Sequence, residues 1–243
     1  MLALLGAFGQ EIADLRRRMA IEEVVAERHC KLYRGKFENR DALLVKTCMG
    51  KERAEGATKL ILERYHVTGI ISLGFAGGLA PELRIGDVVV CSTLYCDSSA
   101  EVFASDARLL SLAAQAPEGM ADRVHLGSGV TTLYVDANPQ KMRGLRETFP
   151  AHIVDNESYW IARIASASHI PFIAIRSISD DMQHSVQPFD RILTADGELL
   201  WGKAVLSFLS HPWYLKNVFN LFRNTRPARR NMAAVISHLA AKI

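Results

Sequence analysis

At 243 residues, with 49% of them hydrophobic and no long Pro, Gly or Ser tract, the chain can bury a sizeable core and falls outside the disordered class. The net charge of +3 excludes a strongly acidic or basic body, although Arg223, Arg226, Arg229, Arg230 and Lys242 gather near the C-terminus. No run reaches the roughly 18 apolar residues of a membrane span, and the short apolar start meets Glu11 and Asp14 too soon for a signal peptide, so a cytoplasmic address is expected.

In chain order, Leu2 to Ala7 predicts a buried strand, and Gln10 to Ala20 a helix with Ile12, Leu15 and Met19 at helical spacing. Ala42 to Thr47, Thr68 to Leu73 and Ile85 to Leu94 predict strands, with a helix over Glu52 to Tyr65. The last of these strands follows Pro81 and Gly86 with no room for a crossover helix, which predicts a mixed sheet. Further on come a helix over Asp106 to Ala116, a strand over Val124 to Thr131 and a helix over Pro139 to Phe149. A short strand over His152 to Val154, a helix over Glu157 to Ser168 and a strand over Pro171 to Ile178 follow. From Phe189 the pattern is helical, with breaks expected near His211-Pro212 and at Pro227. The expected architecture is an α/β fold: a single-domain three-layer α/β/α sandwich with a mixed central sheet over 1–210, and a helical extension over 211–243. Cys30, Cys48, Cys91 and Cys96 have neither zinc-site spacing nor a disulfide framework, so they read as buried thiols.

Two features could carry chemistry. The Gly74-Phe75-Ala76-Gly77-Gly78 turn follows a strand, where glycines let backbone N–H groups approach a ligand, although a plain tight turn reads the same way. Glu157 and Asp180 could both face the cleft at the strand ends, where open α/β sheets bind ligands. Their plain alternatives are a helix N-terminus favoured by Glu157 and a solvated loop residue at Asp180.

Four segments give these residues a context: Leu5-Gly6-Ala7-Phe8-Gly9-Gln10-Glu11, Gly74 to Pro81, Val154-Asp155-Asn156-Glu157, and Pro171-Phe172 through Arg176-Ser177-Ile178-Ser179-Asp180. In this order and spacing the chain resembles the nucleoside phosphorylase and nucleosidase superfamily, particularly its methylthioadenosine/S-adenosylhomocysteine nucleosidase branch, up to about Phe189. The resemblance implies that Asp180 protonates purine N7, that Glu157 binds the ribose hydroxyls, and that Glu11 orients and deprotonates water. It also implies backbone contacts at Ala76 and Gly77, an adenine stacked on Tyr134 and read at its edge by Val135, and support of the acid by Arg176 and Ser179. The implied reaction is cleavage of the N-glycosidic bond of a purine nucleoside by water. The implied partners are that small-molecule nucleoside and further copies of the chain in a homo-oligomer, with no cofactor or metal.

Two departures alter the sugar pocket: Asn156 stands where the family has Met, and Phe75 where it has a small hydroxyl residue. With Phe8 and Phe189 facing the nucleoside's 5′ end, the expected 5′ substituent is bulkier or more apolar than methylthio. Trp213, Tyr214, Leu215, Val218, Phe219, Leu221 and Phe222 interleave with Lys216 and Arg223. That stretch suits peripheral contact with an anionic membrane through 211–230, or a packed helix. The tail resembles the hopanoid-associated branch of the superfamily, whose implied substrate is adenosylhopane. A phosphorylase and a non-catalytic nucleoside-binding protein are the alternatives, and retention of all three acids weighs against the second. No nucleic-acid recognition motif accompanies the basic residues.

Overall fold

Leu2 to Gly6 is buried at every position, which a strand tolerates when both faces of its sheet are covered. The computed structural model describes residues 1–27, 30–133, 139–180 and 213–243, with side chains throughout these except at 139, 180 and 213–224. Its elements are β1 (Leu2–Gly6), α1 (Gly9–Arg18), β2 (Ala20–Ala26), β3 (Lys31–Phe37), β4 (Arg40–Lys46), α2 (Lys51–Arg64) and β5 (Gly69–Gly78). Then follow β6 (Val88–Cys96), β7 (Ser99–Ala104), α3 (Ala107–Ala113), β8 (Val124–Thr131), α4 (Pro139–Thr148), β9 (Ile153–Asp155), α5 (Ser158–Ala167), β10 (Phe172–Asp180) and α6 (Trp213–Lys242).

The sheet is mixed, as expected from the absence of a crossover before β6. Parallel pairs join β1 to β4 and β5, β5 to β10, and β8 to β6 and β9. Antiparallel pairs join β10 to β6, β6 to β7, β5 to β9, β4 to β3 and β3 to β2. Because β5 pairs with both β10 and β9, five strands close a circuit, β5-β10-β6-β8-β9, and the other strands extend from it. One face carries α2 and α5, whose Ala54, Ala57, Ile61, Ile161 and Ala165 pack on the sheet. The opposite face carries α1, α3 and α6 through Ile12, Leu15, Leu109, Met232, Ile236 and Leu239, which completes the three layers.

The strands β2, β3 and β7 went unseen in the sequence, and the helix at Pro227 differs from expectation. β2 has almost every side chain exposed, so burial imposes no alternation on it, and it forms by pairing its backbone with β3. The β3–β4 hairpin turns on Glu38 and Asn39, both with positive φ (48° and 61°), without the Asn-Gly or Asp-Gly pair that announces such turns. The break expected at Pro227 is absent: α6 runs through it. Proline removes one amide donor and crowds the preceding turn, but the turns that follow hold the helix down. Asn231 Nδ2 donates to the Gly86 carbonyl at 2.7 Å, Arg229 Nε to Asp14 Oδ2 at 2.6 Å, and Ala228, Met232 and Ala233 are buried.

The four cysteines are free and buried, and burial raises the thiols of Cys30 and Cys91 to about 11 and about 12. The C-terminal half of α6 is therefore core rather than appendage. Ile236→Ala should cost about 2–5 kcal/mol of unfolding free energy in urea denaturation, the range for a buried Ile cut to Ala, whereas Lys242→Ala on the exposed face should stay within about 0.5 kcal/mol.

Candidate active site

Four strand ends and one helix start bring the polar side chains together. β1 ends at Gly6, and the chain turns at Phe8 into α1, whose third residue is Glu11. Glu11 is 4% exposed, and its two oxygens accept separate main-chain hydrogen bonds, Oε2 from Phe8 N and Oε1 from Phe75 N, each at 2.8 Å. The first ties the acid to its own helix start, and the second ties α1 to the C-terminal half of β5. Burial raises the Glu11 carboxyl above its usual range, against the lowering effect of those N–H groups and of Arg176.

Gly74 is required here by a close approach rather than by a turn. A Cβ at this position would lie 2.8 Å from Glu11 Oε1 and 3.5 Å from Arg176 Cζ. The missing side chain leaves the acid and the guanidinium facing each other across β5. The residue type at 75 does not enter the contact with Glu11, since Phe75 contributes only its backbone N–H.

Arg176, in β10, is 2% exposed and donates from Nε to Asp155 Oδ2 at 2.7 Å and from Nη2 to Ser72 Oγ at 2.8 Å. Burial alone would disfavour its charge, but Asp155, Glu11 and Glu157 outweigh that effect and raise its pKa. Glu157 stands at the N-cap of α5, yet its carboxylate does not cap that helix. Its Oε1 instead accepts from Gly50 N at 3.1 Å, across the gap to the start of α2, and Asp155 Oδ2 takes the Ser158 amide at 3.2 Å. Burial, then the neighbouring Asp155 and Glu11 carboxylates, push the Glu157 carboxyl up to about 8, against Arg176 and the Gly50 amide.

Asn156 is turned away from a simple replacement of an apolar residue. Its Nδ2 donates to the Thr132 carbonyl at 2.8 Å, fastening the exit of β8 to the β9–α5 turn. Ala76 and Gly77 are buried in β5 and pair with Ile178 and Asp180 of β10, with a shift of register between those two partners. Bulges of this kind redirect side chains at strand ends. Ser179, at the shift, is buried, and the Asp180 backbone ends the strand opposite Gly77. Phe8, partly buried, sits at the helix start beside Glu11.

The structure thus brings together Phe8, Glu11, Ala76, Gly77, Asn156, Glu157, Arg176 and Ser179 at one end of the sheet. Tyr134, Val135 and Phe189 lie outside the described residues, as does the Asp180 side chain. Sequence reasoning passed over Asp155, Ser72, Thr131 and Gly50. The signal for Asp155 was a carboxylate two residues before Glu157, in a strand otherwise apolar on that side. Among the described residues no cluster of His, Cys, Asp and Glu is arranged to hold a metal ion.

Comparison with known proteins fits this architecture. The sequence profile of the phosphorylase superfamily matches residues 1–199. A 5′-methylthioadenosine/S-adenosylhomocysteine nucleosidase of Tolumonas auensis is 30% identical over 196 residues, spanning 74% of this chain and 85% of that protein. The like-named protein of Bacillus subtilis is 27% identical over 198 residues, 74% of this chain and 85% of its own. Among solved structures, the nucleosidase of Neisseria meningitidis in complex with methylthio-immucillin-A superposes with a TM-score of 0.80 at 22% identity, covering 100% of this chain and 99% of that one. Futalosine hydrolase of Helicobacter pylori gives 0.78 at 17% identity, covering 100% and 97%. These two structural likenesses speak to the fold.

The raised Glu157 carboxyl has a thermodynamic sign. The folded chain keeps a proton there that the unfolded chain releases near pH 4.5, so this group's stabilising contribution is complete below pH 4.5 and lost as pH rises towards about 8. Urea unfolding of wild type across pH 4.5–8 should show stability falling with pH, and Glu157→Gln should flatten that slope. An equal slope in the variant would assign the titration elsewhere.

Proposed function

The chain belongs to the phosphorylase superfamily, and from that premise we propose its reaction: it is a nucleosidase that cleaves the N-glycosidic bond of a 5′-substituted adenosine, with water as the attacking group. One observation carries the choice of water. Glu11 is a buried carboxylate fixed by two main-chain donors beside Glu157, and both sit at the strand ends where α/β folds bind ligands. A positioned carboxylate suits a water molecule, which must be oriented and deprotonated; an attacking phosphate dianion would be repelled by the same charge.

Departure of the purine needs a proton at N7, so that the C1′–N9 bond breaks to a neutral base rather than an anion. Asp180, at the end of β10, is the proposed general acid, and Ser179 and Arg176 support it. The sugar left behind resembles an oxocarbenium ion, and Glu157 is the proposed partner of its hydroxyls, an interaction that strengthens as positive charge develops. Glu11 takes a proton from the water whose oxygen forms the new bond to C1′. Tyr134 and Val135 are the proposed contacts to the base, Ala76 and Gly77 the backbone walls, Asn156 a sugar-side neighbour, and Phe8 and Phe189 the apolar surround of the 5′ group. The relatives' names point to methylthioadenosine and S-adenosylhomocysteine as substrates to assay first.

Incubation with methylthioadenosine should release adenine and a free reducing sugar without phosphate. Asp180→Asn should lower kcat by about 10²–10⁴, the range for a lost proton-transfer catalyst, and Glu11→Gln should reduce it comparably. Product formed only with phosphate, as a sugar 1-phosphate, would make the protein a phosphorylase.

We extend the reading to a cytoplasmic homo-oligomer whose α6 contacts anionic membranes through its N-terminal half. No helix among the described residues is long and apolar enough to cross a membrane. Arg226 and Arg230 are exposed on α6, whereas Arg229 is engaged by Asp14. An exposed basic residue near an anionic surface contributes about 1 kcal/mol, screened over roughly 10 Å at 0.1 M salt. Co-sedimentation with anionic liposomes should exceed that with neutral ones and weaken with salt, and a folded Trp213→Ser, Phe219→Ser, Phe222→Ser variant should lose it. Equal, negligible sedimentation of both proteins would leave α6 a packing helix alone.

A further inference from the structure

Asp155 is a buried carboxylate that the reaction outlined above does not use. Both its oxygens are occupied: Oδ1 accepts from Thr131 Oγ1 at 2.5 Å, and Oδ2 from Arg176 Nε at 2.7 Å, from Ser158 N at 3.2 Å and from the Ser158 hydroxyl. A carboxylate offers about four acceptor positions, and four protein donors already engage this one. What Asp155 does is join four elements at one point: its own β9, Thr131 of β8, Arg176 of β10 and the first turn of α5. Thr131 Oγ1 in turn accepts from Tyr159 N at 3.1 Å, closing the joint on the α5 side.

Resting on the nucleosidase reading, we propose that Asp155 is a positioning residue for the reaction. It clamps Arg176 and the start of α5 together and thereby fixes the guanidinium relative to the Glu11 and Glu157 carboxylates.

The Asp155 pair is the charged contact that orients Arg176 among the described residues. Among the described residues, Nη2 is held by Ser72 Oγ and Nη1 by the Ile175 carbonyl at 3.3 Å, and the Nε–Asp155 contact is the ion pair that anchors the fork. With that anchor gone, the guanidinium is free to swing towards Glu11, which lies across Gly74. Glu157, two residues after Asp155 at the start of α5, would lose its placement from the same joint.

The charged groups that face Glu157 are Asp155 from β9, Glu11 from α1 and Arg176 from β10, with the Gly50 amide from the start of α2. Two of the three charges are negative, so removing the Asp155 charge eases ionisation of Glu157. Because ionised Glu157 is the better acceptor for ribose hydroxyls, kcat/KM should rise with pH through Glu157, and that rise should move to lower pH in Asp155→Asn.

The test measures adenine release from methylthioadenosine between pH 5 and 9 for the full-length wild type, Asp155→Asn and Thr131→Val. Asp155→Asn should lower kcat on the order of 10²-fold, the scale of a misplaced catalytic constellation, with a smaller change in KM and the shifted pH rise. Thr131→Val removes a single donor from Oδ1 and should move kcat in the same direction by roughly ten-fold or less. It decides the matter alone if circular dichroism finds Asp155→Asn unfolded. Unchanged kcat in the folded variants, or a loss of kcat with an unshifted pH rise in Asp155→Asn, overturns the positioning role. No adenine release from wild type with methylthioadenosine, S-adenosylhomocysteine or an adenosine carrying a longer 5′-alkylthio group would overturn the nucleosidase reading itself, and that outcome is told apart by the wild-type arm.

Discussion

One guanidinium, that of Arg176, meets three carboxylates in the interior, and the placement of everything around it follows from that imbalance. Asp155 takes the direct ion pair, while Glu11 and Glu157 remain near enough to act on its charge without a hydrogen bond to it. A buried ion pair of this kind is weak evidence of stability, but removal of one partner typically costs about 3–5 kcal/mol because the other is left uncompensated. With more negative than positive groups, the interior accommodates the excess by supplying main-chain donors at Phe8, Phe75 and Gly50, and by holding a proton on Glu157 to about pH 8. The site is thus electrostatically incomplete by construction. A developing positive charge on a sugar would relieve it.

The fold serves this arrangement by ending strands from different parts of the sheet at one place. β1 and β5 are parallel neighbours, so Gly6 and the glycines of β5 point the same way, and the turn into α1 returns Glu11 over β5. β10 lies beside β5 on its other side and brings Arg176 level with Gly74. β9, only three residues long, closes the circuit between β5 and β8 and delivers Asp155 and Glu157 across the gap. An open sheet would leave those acids at a distant edge. Closure of five strands is what makes a three-residue strand sufficient.

Much of this was legible in the sequence, for a physical reason. Fully buried strands such as β1 and amphipathic helices such as α1 carry their burial in their residue pattern, and the acids at 11, 157 and 180 stood at or next to element ends. What the pattern lacked was anything decided by partners rather than by the segment itself. β2 exists because β3 offers it a backbone edge, and the hairpin into β4 turns on Glu38 and Asn39, of which Glu38 carries no turn signal. The helix passes through Pro227 because Arg229 and Asn231 are tethered by residues more than a hundred positions away. The four-way joint at Asp155 was hidden likewise, since its donors come from β8, α5 and β10, far apart in the chain.

Among the described residues, the hydrogen-bond donors to the Glu11 and Glu157 carboxylates are backbone amides, those of Phe8, Phe75 and Gly50. The side chains at 8 and 75 are consequently released from any duty to the acids they flank. Evolution can resize them, or a protein engineer can randomise them, while the buried carboxylates keep their anchors. The molecule separates the part of its site that must stay fixed from the part that can be retuned, and it does so by assigning the first to the main chain. The side chains at 8 and 75 can therefore change in size without removing a donor from either carboxylate.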